Sequence, residues 1–299
     1  MYTGEYLDLW LNTYVLPFRA PSTVDGYRRA IDALPQQLLQ LELEQLNGLH
    51  IQAAINAKAM KHPRAAQLIY ATMSVAMAKA QRLRLISFNP MEAVDKPRHT
   101  PKRTATLTAE QLAIYLTAAR ASDHYPLLLL MATCGLRRGE ALGVTWAAID
   151  GDVLHICQQR QKVTGKGLQI RPLKSRASNR DIPIPAPVLA DLRAWPHRCL
   201  TGWLVDSTPD RLYKAHVKVL KQAQLPTIGL HGLRHSMATA MAADGCSMKV
   251  LQGILGHSHY QLTADLYADH LRPEHYRGDL ERLSGRVYKS VSFQGTARL

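Results

Sequence analysis

The segment HGLRH, residues 231–235, contains the residues whose types and spacing most readily suggest chemistry. His231 and His235 flank Arg234 where an alanine-rich run with helical spacing begins. Three kinds of site fit this pattern: a pair of metal ligands, the start of a DNA-reading helix, or a cationic site for a phosphate. A zinc site on a helix usually has a glutamate between its histidines, and an arginine there would repel the metal. Metal binding is therefore the least favoured of the three.

A helix-turn-helix is the second interpretation of this region. The sequence from residue 233 to residue 255 predicts a helix, a turn at Gly245 and a second helix. That second helix offers mainly Lys249 and Gln252 for reading bases. The segment alone does not decide between a DNA-reading helix and a phosphate site.

A second basic segment, TCGLRRGEALGVTW at residues 133–146, carries Arg137 at the predicted opening of a helix. Free backbone N–H groups and a guanidinium fork both suit an anion at such a position. Glu140 lies one turn further on. Taken alone, Arg137 and Arg138 are better explained as surface charges beside this glutamate.

Two later segments add a lysine, a histidine and a tyrosine. Lys174 lies on or near a predicted hairpin strand, where it could protonate a leaving oxygen, although exposed hairpin lysines are common. His257 and Tyr267 follow in ILGHSHYQLTADLYADHL, and a tyrosine in a helix usually serves packing. The order of these residues along the chain carries more information than any one of them.

In that order, the segments resemble the tyrosine recombinase, or phage integrase, family. The matching segments are GLRRGE at 135–140, K-S-x-x-S-x-R at 174–180, HGLRH at 231–235, LGHS at 255–258 and TADLYADH at 263–270. STVDGYRRAI and FNPMEAV, followed by a basic linker, are similar to the family's helical core-binding domain. By position, the resemblance implies an active site of Arg137, Lys174, His231, Arg234, His257 and Tyr267, with Glu140 in support.

The resemblance implies a site-specific recombinase or integrase, from a mobile genetic element, that cleaves and rejoins double-stranded DNA through a 3′-phosphotyrosyl intermediate. Tyr267 would be the nucleophile, His231 its base and Lys174 the acid for the departing 5′ oxygen. The two arginines would stabilise the charge of the phosphorane, so neither a metal nor another cofactor is expected. Exchange of two duplexes needs four cuts, which implies a homotetramer on DNA. Accessory DNA-bending proteins are further candidate partners.

Two other functions remain at this stage. A type IB topoisomerase shares this kind of active site, but the compact layout and close motif spacing favour the recombinase. A non-catalytic helical DNA-binding regulator would carry the motifs as relics, and the complete set of six residues speaks against it.

The composition agrees with a DNA partner. The chain has 37 Lys+Arg against 23 Asp+Glu, a net charge of +14 and a pI near 9.8, which favours a polyanion. Its longest apolar run, from Tyr125 to Leu136, is too short to span a bilayer. The four cysteines form no C-x-x-C pair, which is typical of a reducing compartment. We therefore expect the protein on DNA in the cytoplasm of a bacterial host, with no membrane partner.

These residues need a scaffold that is mostly α-helical with a small antiparallel β-sheet, an α+β fold. We expect a helical core-DNA-binding domain at residues 1–95, a basic linker at 96–106, and a catalytic domain with a C-terminal tail at 107–299. The sheet is predicted to contain a hairpin with its tip at 164–167 and a third strand from Arg180 to Pro185.

Overall fold

The computed structural model describes residues 1–98, 105–163, 165–173, 175–197 and 199–256. Apart from the hairpin tip at Val163–Gly167, these residues form one compact unit before residue 99 and a second from residue 105 onward. The functional domains at 1–95 and 107–299 stay predictions. Among the described residues, no helix has both the length and the apolar character needed to cross a bilayer.

The first unit is helical. Its helices are α1 Thr3–Trp10, α2 Pro21–Asp32, α3 Gln36–Leu39, α4 Gly48–Lys61 and α5 Pro63–Arg82. A π-helical turn, Leu11–Val15, extends α1. The core is built from the apolar faces of these helices, which bury Tyr6, Trp10, Ile51, Ile55, Ile69, Met73 and Met77.

Local signals explain where these helices begin. Pro21 and Pro63 occupy the first position of α2 and α5, where the missing N–H of proline costs nothing. The side chain of Asn47 accepts a hydrogen bond from the His50 N–H at 3.1 Å and caps α4. Proline or asparagine therefore marks the start of α2, α4 and α5.

The second unit combines helices and short strands. The helices are α6 Ala109–Ala119, α7 Tyr125–Thr133, α8 Arg138–Leu142, α9 Ala186–Arg193, α10 Pro209–Gln222, α11 Leu230–Ala243 and α12 Met248–Leu255. The strands are β1 Ile149–Asp150, β2 Val153–Ile156, β3 Gln158–Val163, β4 Gly167–Pro172 and β5 Arg180–Pro183. The predicted fold class, mostly α with small antiparallel β structure, is confirmed.

The strand pairing differs from the sequence prediction in one respect. The chain forms two small sheets, because β5 pairs antiparallel with β2 in the order β1-β2-β5, while β3 and β4 form a separate two-stranded hairpin. The register sets Leu154 opposite Ile182, and both are buried. Burying this apolar pair in the main core fixes β5 beside β2.

The core of the second unit surrounds α7. Every residue of this helix from Tyr125 to Ala132 is buried, which explains its uniformly apolar sequence. A polar chain crosses the same core: the Tyr115 hydroxyl lies 2.8 Å from His216 Nδ1, and His216 Nε2 lies 2.9 Å from the Ile228 carbonyl oxygen. Burial lowers the pKa of His216, so the ring is neutral and can donate to Ile228 while accepting from Tyr115.

Candidate active site

Arg137 stands at the N-terminus of α8, as its sequence context predicts. Its backbone is extended, and its backbone N–H donates to Glu140 Oε2 at 2.9 Å. Its guanidinium donates through Nη1 to Glu140 Oε1 at 2.7 Å and through Nη2 to the Gly256 carbonyl at 3.1 Å. The side chain is 34% exposed. Arg137 is thus held on one side and open to solvent on the other.

Gly135 allows the chain to turn into this helix. Its φ of +66° lies in the left-handed region, and a Cβ there would stand 2.2 Å from Met237 Cε. The close approach also brings the Gly135 carbonyl oxygen within 2.6 Å of Arg234 Nη1. A side chain at this position would separate the two arginine-bearing segments.

Glu140 is a buried carboxylate shared by two arginines. Its side chain is 2% exposed, and besides Arg137 it accepts from Arg180 Nη1 at 3.3 Å and Arg180 Nη2 at 3.0 Å. Burial raises the pKa of Glu140, but the hydrogen bonds and charges of Arg180 and Arg137 outweigh it and hold that pKa below its usual value. Glu140 therefore stays ionised and fixes both guanidinium groups.

Arg234 is the most deeply buried cation of the site. It is 1% exposed, and it donates to the Gly135 carbonyl and, through Nη2, to the Leu255 carbonyl at 2.5 Å. Burial and then the charge of Arg137 lower its pKa to about 9, while Glu140 opposes the shift. The group remains protonated at neutral pH and joins α11 to the segment before α8 and to the end of α12.

His231 and His235 lie one turn apart on α11 and differ in environment. Their rings meet edge to face, 4.4 Å between centroids. His231 is exposed, whereas Nδ1 of His235 is buried and has no hydrogen-bond partner in the described part of the chain. The same part of the chain contains no group of three potential metal ligands around them. The two histidines of the pair are therefore not equivalent.

The electrostatic environment keeps His231 neutral. Desolvation, then the charges of His235, Arg234 and Arg137, lower the pKa of His231 to about 4, and Glu140 acts in the opposite direction. Because part of the residue is open to solvent, water weakens these charge effects. His231 is therefore unprotonated at neutral pH, and a lone pair of its ring is available to a proton donor.

Gly256 closes the site on the α12 side. It ends the helix with a φ of +60°, and a Cβ there would approach the Ala177 carbonyl oxygen to 2.9 Å and Arg180 Nη1 to 3.0 Å. Its carbonyl accepts from Arg137. Gly256 and Arg180 are site residues that no local sequence signal identifies, although they lie in the segments LGHS at 255–258 and K-S-x-x-S-x-R at 174–180.

A cleft of about 560 Å³ opens beside Arg137. Its wall includes the cations Arg138, Arg160 and Lys162 and the hydroxyls of Ser175 and Ser178. Arg160 lies 4.4 Å above the Trp203 ring and donates to Asp206 at 3.0 Å, and Lys162 donates to Asp210 at 3.0 Å. The cleft is therefore cationic, and two of its basic side chains, Arg160 and Lys162, are held by neighbouring carboxylates.

The described residues bring together three of the predicted active-site residues, Arg137, His231 and Arg234, and the supporting Glu140. The other three, Lys174, His257 and Tyr267, lie outside the described residues. Their roles in the active site stay predictions.

A model of the phage integrase family matches residues 105–274, which is 170 of the 299 residues and includes every predicted active-site position. The chain belongs to the phage integrase family. The predicted family is confirmed.

Similar proteins of known class agree with this family. The tyrosine recombinase XerD of Xanthomonas campestris pv. campestris is 26% identical over 307 residues, covering 91% of this chain and 90% of that protein. A putative prophage phiRv2 integrase of Mycobacterium tuberculosis is 26% identical over 273 residues, covering 85% and 71%. A XerC-like tyrosine recombinase of Caldanaerobacter subterraneus is 26% identical over 212 residues, which cover 60% of this chain. The chain spans only 54% of the length of that protein.

Solved structures show the same fold. The Tn1549 transposon integrase, in complex with a circular intermediate DNA, superposes with a TM-score of 0.77 at 20% identity, over 94% of this chain and 99% of that one. A lambda integrase dimer bound to a COC′ core site gives a TM-score of 0.70 at 19% identity, over 89% and 95%. Both helical and β elements of the described chain thus follow an integrase fold.

Proposed function

We propose that this member of the phage integrase family is a site-specific DNA recombinase that cleaves and rejoins strands through a 3′-phosphotyrosyl intermediate. One observation carries the proposal: Arg137 and Arg234 are anchored around Gly135 and Glu140, beside a neutral His231. Two fixed cations and a proton acceptor match what transesterification of a phosphodiester requires.

In the proposed cleavage step, the Tyr267 oxygen attacks the phosphorus and a tyrosyl–phosphate bond forms as the bond to the 5′ oxygen breaks. The phenol proton passes to His231, and Lys174 protonates the departing 5′ oxygen. Arg137 and Arg234 supply positive charge to the phosphorane, and His257 donates a hydrogen bond to the phosphate. Attack by another 5′-hydroxyl reverses these transfers and reseals the strand without ATP.

The proposed substrate is double-stranded DNA that carries a specific recombination site. Lambda integrase has been solved as a tetramer bound to a Holliday junction, with a TM-score of 0.69 and 19% identity to this chain. By analogy we propose a homotetramer on DNA, since each protomer supplies one nucleophile. Accessory DNA-bending proteins, a mobile genetic element as source and action in a bacterial cytoplasm belong to the same proposal.

The first unit is proposed to be the core-DNA-binding domain, and residues 96–106 the linker to a catalytic domain at 107–299. A broad groove between α2 and the junction of α4 and α5 supports this role. Its wall carries the cations Arg29, Lys58, Lys61 and Arg64. Such a surface suits the phosphate backbone of a duplex.

The experiment that tests the function uses nicked duplexes that tile the DNA flanking the gene. Wild-type protein should form a covalent protein–DNA adduct on one of them, and Tyr267→Phe should not, because it lacks the attacking oxygen. A covalent adduct with Tyr267→Phe would overturn the assignment of Tyr267 as the nucleophile. Relaxation of supercoiled plasmids without strand exchange would indicate a type IB topoisomerase and contradict the proposed recombinase function.

A further inference from the structure

Arg180 is a buried arginine that the proposed chemistry leaves without a role. It begins β5, and its side chain is 7% exposed. An arginine is rarely buried to this degree without a specific set of partners. Its donors therefore indicate what it does.

Those donors are nearly all used inside the protein. Nε donates to the Ile254 carbonyl at 2.6 Å, and Nη1 donates to the Ser178 carbonyl at 2.9 Å. Both terminal nitrogens also donate to Glu140, as described above. Four of the five N–H groups of a guanidinium are thus engaged, which leaves Arg180 little capacity to bind a substrate.

The contacts of Arg180 lead to Arg137 by two routes. The first runs through Glu140, whose two oxygens each accept one bond from Arg180 and one from Arg137. The second runs through the end of α12, where Arg180 binds Ile254 and Arg137 binds Gly256. Arg180 is therefore tied to both anchors of the Arg137 guanidinium.

The charges explain why a cation is needed at this position. Glu140 is buried, and burial alone would raise its pKa toward the neutral form. The bonds and charge of Arg180 are the largest opposing influence and keep the carboxylate ionised. Without Arg180, the carboxylate would be a weaker partner for Arg137.

We propose that Arg180 is a positioning residue for strand cleavage, which orients Arg137 through the shared Glu140 carboxylate and through the C-terminal end of α12. This inference rests on the proposed recombinase function. It assigns Arg180 no contact with the DNA.

Arg180→Lys tests the inference, since lysine keeps the charge but cannot bond both Glu140 oxygens and Ile254 in one plane. At saturating nicked duplex, the single-turnover cleavage rate should fall by roughly 10- to 100-fold, the cost of misplacing a reacting group by about an ångström. The dissociation constant for the duplex should stay within about threefold of wild type, because most affinity comes from other phosphate contacts. Arg193→Lys is the matched control, because Arg193 also donates to a carbonyl, that of Gly151, but is exposed on α9.

A double-mutant cycle separates positioning from a general structural role. In an Arg137→Lys background, Arg180→Lys should cost less than about threefold in cleavage rate, because the group that it orients is already gone. Equal losses in both backgrounds would overturn the inference, and so would wild-type cleavage by Arg180→Lys. If Arg180→Lys and Arg180→Gln both lose the cooperative unfolding transition, Arg180 is a folding residue and the inference is likewise overturned.

Failure of this inference is distinguishable from failure of the proposed function. Absence of any covalent adduct with wild-type protein would count against the recombinase. A wild-type adduct that forms equally fast with Arg180→Lys would count against the positioning role alone.

Discussion

The two arginine-bearing helix starts of the site, at α8 and at α11, hold their cations in opposite ways. Arg137 is a third exposed, and its partners are one carboxylate and one carbonyl. Arg234 is buried and bonds two backbone carbonyls. Both join the same segments of chain, but only Arg137 combines an anchored side with an open one.

This difference suggests a division of labour between the two cations. Besides the charge proposed for the phosphorane, Arg234 has a structural role, because its buried bonds hold α11 to the segment before α8 and to the end of α12. Arg137 presents donors to the cleft, so we expect its main role to be binding the phosphate of the ligand. Substitutions at the two positions should therefore separate stability from chemistry.

The largest effect on stability is expected from Arg234→Ala. It leaves the Gly135 and Leu255 carbonyls without their donor in a buried place, so the free energy of unfolding should fall by about 2–4 kcal/mol, with loss of cleavage. Urea unfolding measures the change. Arg193→Ala removes an exposed bond to a carbonyl and should change it by less than about 0.5 kcal/mol. Equal losses of unfolding free energy in the two variants would contradict the structural role of Arg234.

A glycine pair measures how tightly the end of α12 is packed against the site. Gly256 and Gly151 share nearly the same φ, +60° and +58°, but only Gly256 has atoms within 4 Å of an added Cβ. Gly151→Ala should lower the free energy of unfolding by about 1 kcal/mol, because alanine is strained in this backbone conformation. Gly256→Ala should lose about 2–3 kcal/mol, because crowding against Ala177 and Arg180 adds to it. Thermal unfolding compares the two, and equal losses would show that the packing is loose.

The smallest of these effects concerns the charge of Glu140. Its folded-state pKa lies below the ordinary 4.5, so its ionisation stabilises the protein above that pH, and the contribution disappears as the pH falls through the folded-state pKa. At neutral pH, Glu140→Gln should have a free energy of unfolding about 1–2 kcal/mol below that of wild type. Urea unfolding from pH 7 down to about pH 3 should show this difference shrinking below pH 4.5. A difference that grows toward acid would contradict the ionised, shared carboxylate.

The sequence predicts the locally encoded features of this site better than its long-range contacts. The start of α8 is readable because GLRRGE combines a turn glycine with an acidic residue in the first helical turn, and these signals are local. Arg180 is not, because its partners Glu140 and Ile254 lie 40 and 74 residues away in the chain. The pairing of β5 with β2 is not predictable for the same reason, since short strands do not encode their partners.

The open side of Arg137 is the central feature of the proposed active site, and Arg137→Ala tests its role. Single-turnover cleavage and duplex binding are measured on the same nicked DNA, with the exposed neighbour Arg138→Ala for comparison. We expect Arg137→Ala to cleave about 100- to 1000-fold more slowly, with a dissociation constant changed by less than about tenfold. Arg138→Ala should cleave at the wild-type rate once DNA saturates it. Wild-type cleavage by Arg137→Ala, or a loss explained entirely by binding, would contradict the assignment of this site.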